Sequence, residues 1–220
     1  MTAILIPAYN EAPRIASVIQ ACLAALPGSD VLVVDGGSTD STPAVARALG
    51  ATVIPQPGRG YADALRAGYR HLAGVEAVVQ LDADGQHPPE VLPEMLAALQ
   101  EASWVIGSRA GTDSPGPLVR RAGNAALSLA VWAACGEHIA DVTSGLWALD
   151  AKALAVFGGR FPDDVADANV RVMACRAGLS IAEIPVPMHV RHTGESMHDG
   201  IAGVRNFQRS LRAIWREAWA

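Results

Sequence analysis

The sequence contains few cysteines. Its 220 residues include three, Cys22, Cys135 and Cys175, and they lie far apart. An odd number at this spacing excludes a disulfide framework and does not match the ligand spacing of a zinc site. Reduced thiols are typical of cytoplasmic proteins, so we expect a cytoplasmic protein whose cysteines lie in the core.

Long hydrophobic runs are also scarce. The longest, residues 125–135, is interrupted by Ser128 and is shorter than the roughly 20 residues that span a bilayer. The first residues lack the basic and apolar regions of a signal peptide. We therefore expect a chain that is free in the cytoplasm or peripheral on the inner face of the membrane.

Positively charged residues are outnumbered by negatively charged ones, and three common nucleotide-binding motifs are missing. The chain has 17 Lys and Arg against 22 Asp and Glu, a net charge of −5, which argues against a nucleic-acid-binding protein. The first predicted strand is followed neither by a dinucleotide-binding glycine fingerprint nor by the basic glycine-rich loop of a nucleotidyltransferase. No Walker lysine is present, so a P-loop ATPase is excluded as well.

What the sequence does contain is a regular alternation of short apolar strands and amphipathic helices. The first half predicts strands at residues 3–6, 31–34, 52–54, 77–81 and 104–107, with helices between them. The second half predicts helices at 118–135, 167–177 and 201–219, a strand or hairpin at 142–149, and an edge strand at 181–186. This order indicates a single α/β domain with a mainly parallel sheet and helices on both faces.

The fourth predicted strand ends in two carboxylates, Asp82 and Asp84, followed by Gln86 and His87. Ligands of open α/β sheets bind just outside the carboxyl ends of the strands. Two carboxylates there provide hard oxygen ligands for a divalent cation, which in turn holds a diphosphate. The alternative is a polar turn with an N-capping aspartate.

The other strand ends of the first half are polar too. They carry Tyr9 and Glu11, then Asp35, then Arg59 between two glycines and Asp63. Carboxylates suit ribose hydroxyls and base N–H groups, and an arginine flanked by glycines suits an anionic oxygen. Together these ends predict a nucleoside diphosphate that Mg²⁺ or Mn²⁺ bridges to the Asp-x-Asp turn, whereas the serines after Asp35 are equally compatible with simple helix caps.

Seven motifs give the chain a family resemblance. They are Ile-Pro-Ala-Tyr-Asn-Glu at 6–11, Val-Val-Asp-Gly-Gly-Ser-Thr-Asp at 33–40, Gly-Arg-Gly at 58–60, Asp-Ala-Asp-Gly-Gln-His at 82–87, Ile-Gly-Ser-Arg at 106–109, Asp-Val-Thr-Ser-Gly at 141–145 and Arg-His-Thr-Gly-Glu-Ser at 191–196. In this order they resemble the family 2 inverting glycosyltransferases of GT-A fold, in particular the dolichyl-phosphate mannose synthase-like branch. The resemblance covers residues 3–198.

This resemblance implies a GT-A glycosyltransferase domain at 1–200, with a nucleotide-sugar-binding half at 1–109 and an acceptor half at 110–200, followed by an amphipathic helix at 201–220. It implies metal-dependent, inverting transfer of a sugar from a UDP- or GDP-linked donor. The acceptor implied is a polyprenyl phosphate or another lipid or glycan, and the cofactor is Mg²⁺ or Mn²⁺.

The resemblance also implies residue roles. Donor-binding positions are Pro7, Ala8, Tyr9, Glu11, Asp35, Gly36, Arg59, Asp63, Asp82, Ala83, Asp84, Ser144, Gly145 and Arg191. Metal positions are Asp82, Asp84, Gln86 and His192, the last chosen over His189 and His198. Catalytic positions are Arg109, Asp164 and Asp167.

The resemblance also implies that a carboxylate of the second half serves as the general base. Asp163, Asp164 and Asp167 are the candidates, but their segment departs from the glutamate-containing pattern of the family. A sugar hydroxyl needs a base to remove its proton, whereas a phosphate monoester already carries a nucleophilic oxyanion. A polyprenyl phosphate acceptor would instead require arginines, for which Arg109 and Arg191 are the first candidates and Arg120 is available.

Two alternatives stay open at this point. The irregular segment at 163–167 is also compatible with a non-catalytic subunit that binds the nucleotide sugar for a membrane glycosyltransferase complex. The helix at 201–219 has a basic face with Trp215 and Trp219, which suits an anionic membrane; packing of its apolar side on the domain, or on a second subunit in a homodimer, is the interpretation we favour. Relatives often carry transmembrane helices beyond this point, so a membrane partner subunit is a further expectation.

Overall fold

The computed structural model describes residues 1–112, 118–162, 165–189 and 200–220. In this part of the chain, seven β-strands form one sheet. They are β1 Thr2–Ala8, β2 Asp30–Asp35, β3 Thr52–Pro55, β4 Ala77–Gln80, β5 Trp104–Ser108, β6 Trp147–Asp150 and β7 Ile181–Pro185.

Helices connect the strands on both faces of the sheet. They are α1 Ile15–Ala25, α2 Thr42–Ala48, α3 Tyr61–His71, α4 Leu92–Ala98, α5 Leu118–Cys135, α6 Ala151–Gly159, α7 Ala168–Arg176 and α8 Gly200–Ala218, with a 3-10 turn at Pro89–Val91 before α4. The alternation predicted for residues 3–107 is confirmed, and element ends differ by one or two residues.

The strand order is β3-β2-β1-β4-β6-β5-β7. All neighbours are parallel except β6, which is antiparallel to both β4 and β5. The predicted mainly parallel sheet is thus confirmed, as is the edge position of β7. Because β6 runs the other way, its amino end lies at the same sheet edge as the carboxyl ends of the six parallel strands.

Alternate side chains of the central strand β1 enter two separate cores. Leu5 belongs to the cluster that also contains Leu65 of α3 and Phe157 of α6. Ile4 and Ile6 belong to the cluster on the opposite face. Both faces of a parallel sheet are covered in this way, which explains why its strands read as continuous apolar runs.

The second half corrects the sequence-based prediction in two places. Helix α6 was not predicted from the sequence; its N-cap is Asp150, whose carboxylate accepts the Ala153 N–H at 2.7 Å. The strand or hairpin predicted at 142–149 is wrong for its first half, since only Trp147–Asp150 is a strand. Residues 142–146 form a loop fixed by side-chain hydrogen bonds.

Helix α8 packs its apolar side on α5 and α7. Ala213 and Ile214 are buried, while Trp215 and Trp219 are 45% and 85% exposed. No helix in the described ranges combines the length and hydrophobicity needed to cross a bilayer.

Candidate active site

The loops after β1 and β2 form one hydrogen-bonded unit. The Asn10 N–H donates to the Ser38 hydroxyl at 2.9 Å, and the Thr39 N–H donates to the Asn10 side-chain oxygen at 2.8 Å. Asn10 adopts a positive φ of 55°, which asparagine tolerates better than most residues. Ser38 therefore bridges two loops instead of capping a helix, and Ser41 makes no side-chain cap bond either.

The predicted ribose and base positions lie on this unit. The Asp35 carboxylate accepts the Ser38 N–H at 3.2 and 3.3 Å, and Glu11 pairs with Arg14 at 2.7 Å. Tyr9 is 59% exposed. Both carboxylates are thus held at neighbouring strand ends, and the tyrosine ring next to them is accessible to a ligand.

Gly36 allows the two strand ends to approach each other. A Cβ added there would lie 3.3 Å from the Tyr9 Cβ and 3.4 Å from the Ala8 carbonyl oxygen. Pro7 and Ala8 are buried at the carboxyl end of β1. Their side chains therefore pack in the protein interior behind the edge of the site.

Asp63 shapes the loop after β3. Its carboxylate accepts the Arg59 N–H at 2.9 Å and pairs with Arg66. A Cβ on Gly58 would lie 1.8 Å from an Asp63 oxygen, so this turn requires glycine. The Arg59 side chain is exposed. Direct contacts of Arg59 and Asp63 with a donor stay predictions, but Asp63 already has a role in fixing the loop.

Asp82 is held from two sides at the end of β4. Its Oδ1 accepts the Tyr61 hydroxyl at 2.9 Å, and its N–H donates to His87 Nδ1 at 3.1 Å. Burial and then the charge of Asp82 raise the pKa of Tyr61 well above its usual value, so this group remains a hydroxyl donor. The Asp82 side chain is 35% exposed, which leaves it accessible at the sheet edge.

Asp84 and Gln86 connect this turn to the chain after β7. The Gln86 N–H donates to Asp84 Oδ1 at 3.0 Å. Gln86 also exchanges two hydrogen bonds with the backbone of His189, at 2.9 and 3.3 Å. Ala83, between the two aspartates, is 3% exposed and packs in the core. Only the backbone of Ala83 therefore lies at the site.

The carboxylates of Asp82 and Asp84 are the groups in the described part of the site that could bind a cation. In the described ranges, no group of three or more His, Cys, Asp or Glu side chains is placed to hold a metal. In enzymes that bind phosphate groups, Mg²⁺ is usually held by one or two carboxylates together with oxygens of the substrate phosphates. Asp82 and Asp84 fit such an ion. Arg191 and His192, predicted for donor and metal, lie outside the described residues.

Gly145 lies close to Asp82 on the other side of the site. A Cβ added to it would lie 2.9 Å from Asp82 Oδ2 and 3.1 Å from the Tyr61 hydroxyl oxygen. Ser144, also predicted for the sugar side, is 4% exposed, and its hydroxyl donates to the Gly107 carbonyl at 2.5 Å. The Ser144 side chain therefore holds the loop and does not face the site.

Arg109 forms a bidentate ion pair with Asp141. Its Nε and Nη2 each donate at 2.7 Å to the two carboxylate oxygens, and Nη2 also donates to the Thr143 hydroxyl at 2.7 Å. Burial alone would raise the pKa of Asp141, but the hydrogen bonds and charge of Arg109 outweigh it, and the pKa is lowered. Arg109 is thus a structural clamp of the 141–145 loop, and its contact with an acceptor stays a prediction.

Asp167 lies at the start of α7 and is engaged by α8. The Ser210 hydroxyl donates to its carboxylate. Asp163 and Asp164, the other candidate bases, lie outside the described residues. In the structure Asp167 therefore links two helices, and its role as a base stays a prediction.

Three residues near the site were not assigned a role from the sequence. Arg171 is fully buried with its guanidinium 5.1 and 4.9 Å from the rings of Trp104 and Trp147, and burial lowers its pKa to about 10. Nothing in a helical pattern reveals such a contact. Tyr61 directly follows the Gly-Arg-Gly motif at 58–60, and Gln80 was detectable as a polar residue in an apolar strand.

Comparison with known proteins gives consistent results. The sequence model described as "Glycosyl transferase family 2" matches residues 3–157. An undecaprenyl-phosphate mannosyltransferase of Micrococcus luteus is 34% identical, over 96% of this chain and 94% of its own length. A dolichyl-phosphate hexose transferase of Haloferax volcanii is 30% identical, over 98% of this chain and 94% of its own length.

Solved structures with the same fold include glucosyl-3-phosphoglycerate synthase from Mycobacterium tuberculosis. That protein was crystallised with Mn²⁺, UDP and phosphoglyceric acid; it superposes with a TM-score of 0.75 at 19% identity, over 99% of this chain and 78% of its own. At this identity the likeness concerns the fold.

Proposed function

Because this chain belongs to glycosyl transferase family 2, we propose that it transfers a sugar with inversion from a UDP- or GDP-linked donor to a polyprenyl phosphate. Membership confirms the resemblance noted in its motifs, and with it the GT-A fold and the glycosyltransferase class. The observation that carries the finer proposal is the Asp82 carboxylate, fixed by Tyr61 at 2.9 Å and facing Gly145.

The donor is proposed to lie along the carboxyl edge of the sheet. We assign Asp35 and Glu11 to the ribose and base, with the exposed Tyr9 ring beside them. We assign Arg59 to an anionic oxygen, and this is supported by its exposed side chain on a loop whose backbone is already fixed. Asp82 and Asp84 follow at the next strand end, which puts the diphosphate between the nucleoside and Gly145.

Asp82 and Asp84 would hold the divalent cation, Mg²⁺ or Mn²⁺, with Gln86 beside them. When bound, such an ion neutralises charge that develops on the leaving diphosphate. The protein's own part is to fix both carboxylates before the donor arrives, through the Tyr61 hydroxyl and the Gln86 N–H. The cost of orienting these ligands is thus met in folding and not during the reaction.

The acceptor class is supported by relatives named for undecaprenyl and dolichyl phosphate. An oxygen of the acceptor phosphate attacks C1 of the sugar, and the bond from C1 to the diphosphate oxygen breaks. No proton has to be removed from a phosphate monoester dianion, so the reaction does not need the Asp167 carboxylate, which Ser210 already engages. The basic outer face of α8, with exposed Trp215 and Trp219, suits the anionic membrane in which such an acceptor resides.

The test combines binding with turnover. Purified chain is screened by thermal shift with UDP, GDP and their sugar conjugates, with and without Mn²⁺; a ligand that binds only the folded state raises the melting temperature. Labelled donors that raise it are then incubated with polyprenyl phosphate. We expect Asp84→Ala to abolish the Mn²⁺-dependent shift and turnover while keeping the unliganded melting temperature.

The matched control is Asp30→Ala, the same change at an exposed residue. Asp30 is at the amino end of β2, so it lies at the sheet edge away from the site. It should behave as the unchanged chain does. Turnover by the purified chain rejects the alternative of a non-catalytic subunit, whereas a metal-dependent shift without turnover favours it. Full activity of Asp84→Ala contradicts the metal site.

A further inference from the structure

A chain of hydrogen bonds leads from the buried Tyr69 to Asp82 at the sheet edge. The Tyr69 hydroxyl donates to Gln80 Oε1. Gln80 Nε2 donates to the Tyr61 hydroxyl oxygen at 3.0 Å and to the Gly145 carbonyl oxygen at 2.9 Å. The Tyr61 hydroxyl donates to Asp82 Oδ1 at 2.9 Å. Gln80, in the middle, is completely buried.

The direction of every bond in this chain is determined by chemistry. A backbone carbonyl only accepts hydrogen bonds, so the Gln80 atom facing Gly145 must be its amide nitrogen. The amide oxygen therefore faces Tyr69 and accepts the hydrogen bond from its hydroxyl. Because the Tyr61 oxygen accepts from the same amide nitrogen, its own proton is directed to Asp82, which as a carboxylate can only accept.

We propose that Tyr61 is a positioning residue for the cation ligand Asp82, and that Gln80 aligns it. The torsion that rotates a carboxylate is broad and nearly free on its own. One directed hydrogen bond to Oδ1 fixes the plane of the group and leaves its other oxygen for the cation. The inference rests on the metal site proposed above.

Gln80 also links the two sides of the site. Its amide nitrogen holds both the hydroxyl that orients Asp82 and the carbonyl of Gly145, whose Cα side approaches Asp82 closely. The strand register also keeps the two sides together, since Gln80 of β4 pairs with Trp147 at the start of β6, two residues after Gly145. The distance between the cation ligand and the loop opposite it is thus fixed by one buried side chain.

The test is Mn²⁺ binding by titration calorimetry, in the presence of the nucleoside diphosphate that the unchanged chain binds. Tyr61→Phe removes only the hydroxyl. Loss of such an outer partner weakens metal affinity about 10- to 100-fold in known sites, so we expect the Mn²⁺ dissociation constant to rise at least about tenfold. Turnover should require more Mn²⁺ and return toward its normal kcat when Mn²⁺ is saturating.

The matched control is Tyr69→Phe, the same chemical change at the other end of the chain. Tyr69 does not contact Asp82, so we expect a lower melting temperature with Mn²⁺ affinity within about twofold of the unchanged chain, less than the roughly tenfold loss of an outer partner. Gln80→Met, which keeps Tyr61 but removes the group that aligns it, should weaken Mn²⁺ binding by an intermediate factor. It provides a second reading should Tyr61→Phe fold poorly.

Two results would overturn the positioning role. One is unchanged Mn²⁺ affinity in both Tyr61→Phe and Gln80→Met; the other is equal weakening in Tyr69→Phe, which would indicate general loosening. A failure of the proposed function looks different, because the unchanged chain itself would then take up no Mn²⁺ with any nucleoside diphosphate.

Discussion

The Arg109–Asp141 ion pair gives a quantitative prediction about stability. Asp141 is 2% exposed, and Arg109 donates three hydrogen bonds to its carboxylate, one from the backbone N–H and two from the guanidinium. Arg109→Met removes the two guanidinium bonds and leaves a buried charge. Hydrogen bonds to charged groups contribute about 1.5–3 kcal/mol each, and breaking a buried pair costs about 3–5 kcal/mol. Both figures predict a loss of roughly 3–5 kcal/mol.

Urea unfolding followed by tryptophan fluorescence measures this loss. Arg121→Met is the control, because Arg121 is exposed on α5, and such a surface change should stay within about 0.5 kcal/mol. A loss for Arg109→Met below about 1 kcal/mol, the value of a surface ion pair, would refute the reasoning.

The pH dependence of the loss checks its cause. The pKa of Asp141 is lower in the folded protein than in the unfolded chain, where it is about 3.9. The ion pair therefore stabilises the fold fully above about pH 3.9, and this stabilisation is lost as the pH falls through the pKa of the folded protein. Without Arg109 the burial of Asp141 dominates and raises its pKa, so the variant is stabilised by acid. The difference in free energy of unfolding between the unchanged chain and Arg109→Met should therefore decrease from about pH 7 to about pH 4. A difference that stays constant with pH would contradict an electrostatic origin.

Three further predictions concern other parts of the molecule. Gly145→Ala should lower turnover about tenfold or more, because its Cβ would lie 2.9 Å from Asp82 Oδ2 and displace it. Iodoacetamide should alkylate Cys135 first, with a rate that rises through about pH 7, since a hydrogen bond from a neighbouring thiol lowers its pKa to about 7; burial raises the pKa of Cys22 to about 12 and protects it. Phosphatidylglycerol vesicles should bind the chain better than phosphatidylcholine vesicles, less so at high salt, and Trp219→Ala should weaken binding.

One of these predictions has a matched control variant, and the other two have a result that would contradict them. Gly159→Ala adds the same methyl group where no atom lies within 4 Å and should leave turnover unchanged. Alkylation of Cys22 before Cys135 in the folded protein would contradict the assigned pKa order. Equal binding to both kinds of vesicle would show that the basic face of α8 does not recognise anionic lipid.

The first half of the fold was predictable because local patterns determined it. Each strand from β1 to β5 is an apolar run that ends in polar residues, and parallel topology alone brings Glu11, Asp35 and Asp82 to one edge. Positions at strand ends therefore predict a site without knowledge of any contact. The side-chain bonds of Asp63 to the Arg59 N–H and of Ser144 to the Gly107 carbonyl were not predictable in the same way, since no local pattern indicates them.

The second half was less predictable because its structure depends on contacts between distant residues. Loop 142–146 was predicted as part of a strand or hairpin at 142–149, yet Glu183 of β7 accepts the N–H groups of Ala140 and Asp141 at 2.7 and 2.9 Å and holds the loop start. The burial of Arg171 between two tryptophans has no local signal at all. Such contacts appear only when the whole sheet is assembled.

The antiparallel strand β6 explains how the two halves form one site. Its reversed direction delivers loop 141–145 to the edge where Asp82 lies, and the loop is then fixed from both sides. Arg109 holds its start through Asp141 and Thr143, and Thr143 donates to Asn124 of α5 at 3.2 Å. Gln80 of β4 holds its end through the Gly145 carbonyl. In the function proposed above, a loop fixed at both ends is suited to position the acceptor phosphate, and because that phosphate already carries its nucleophilic charge, rigidity would serve the reaction without a base.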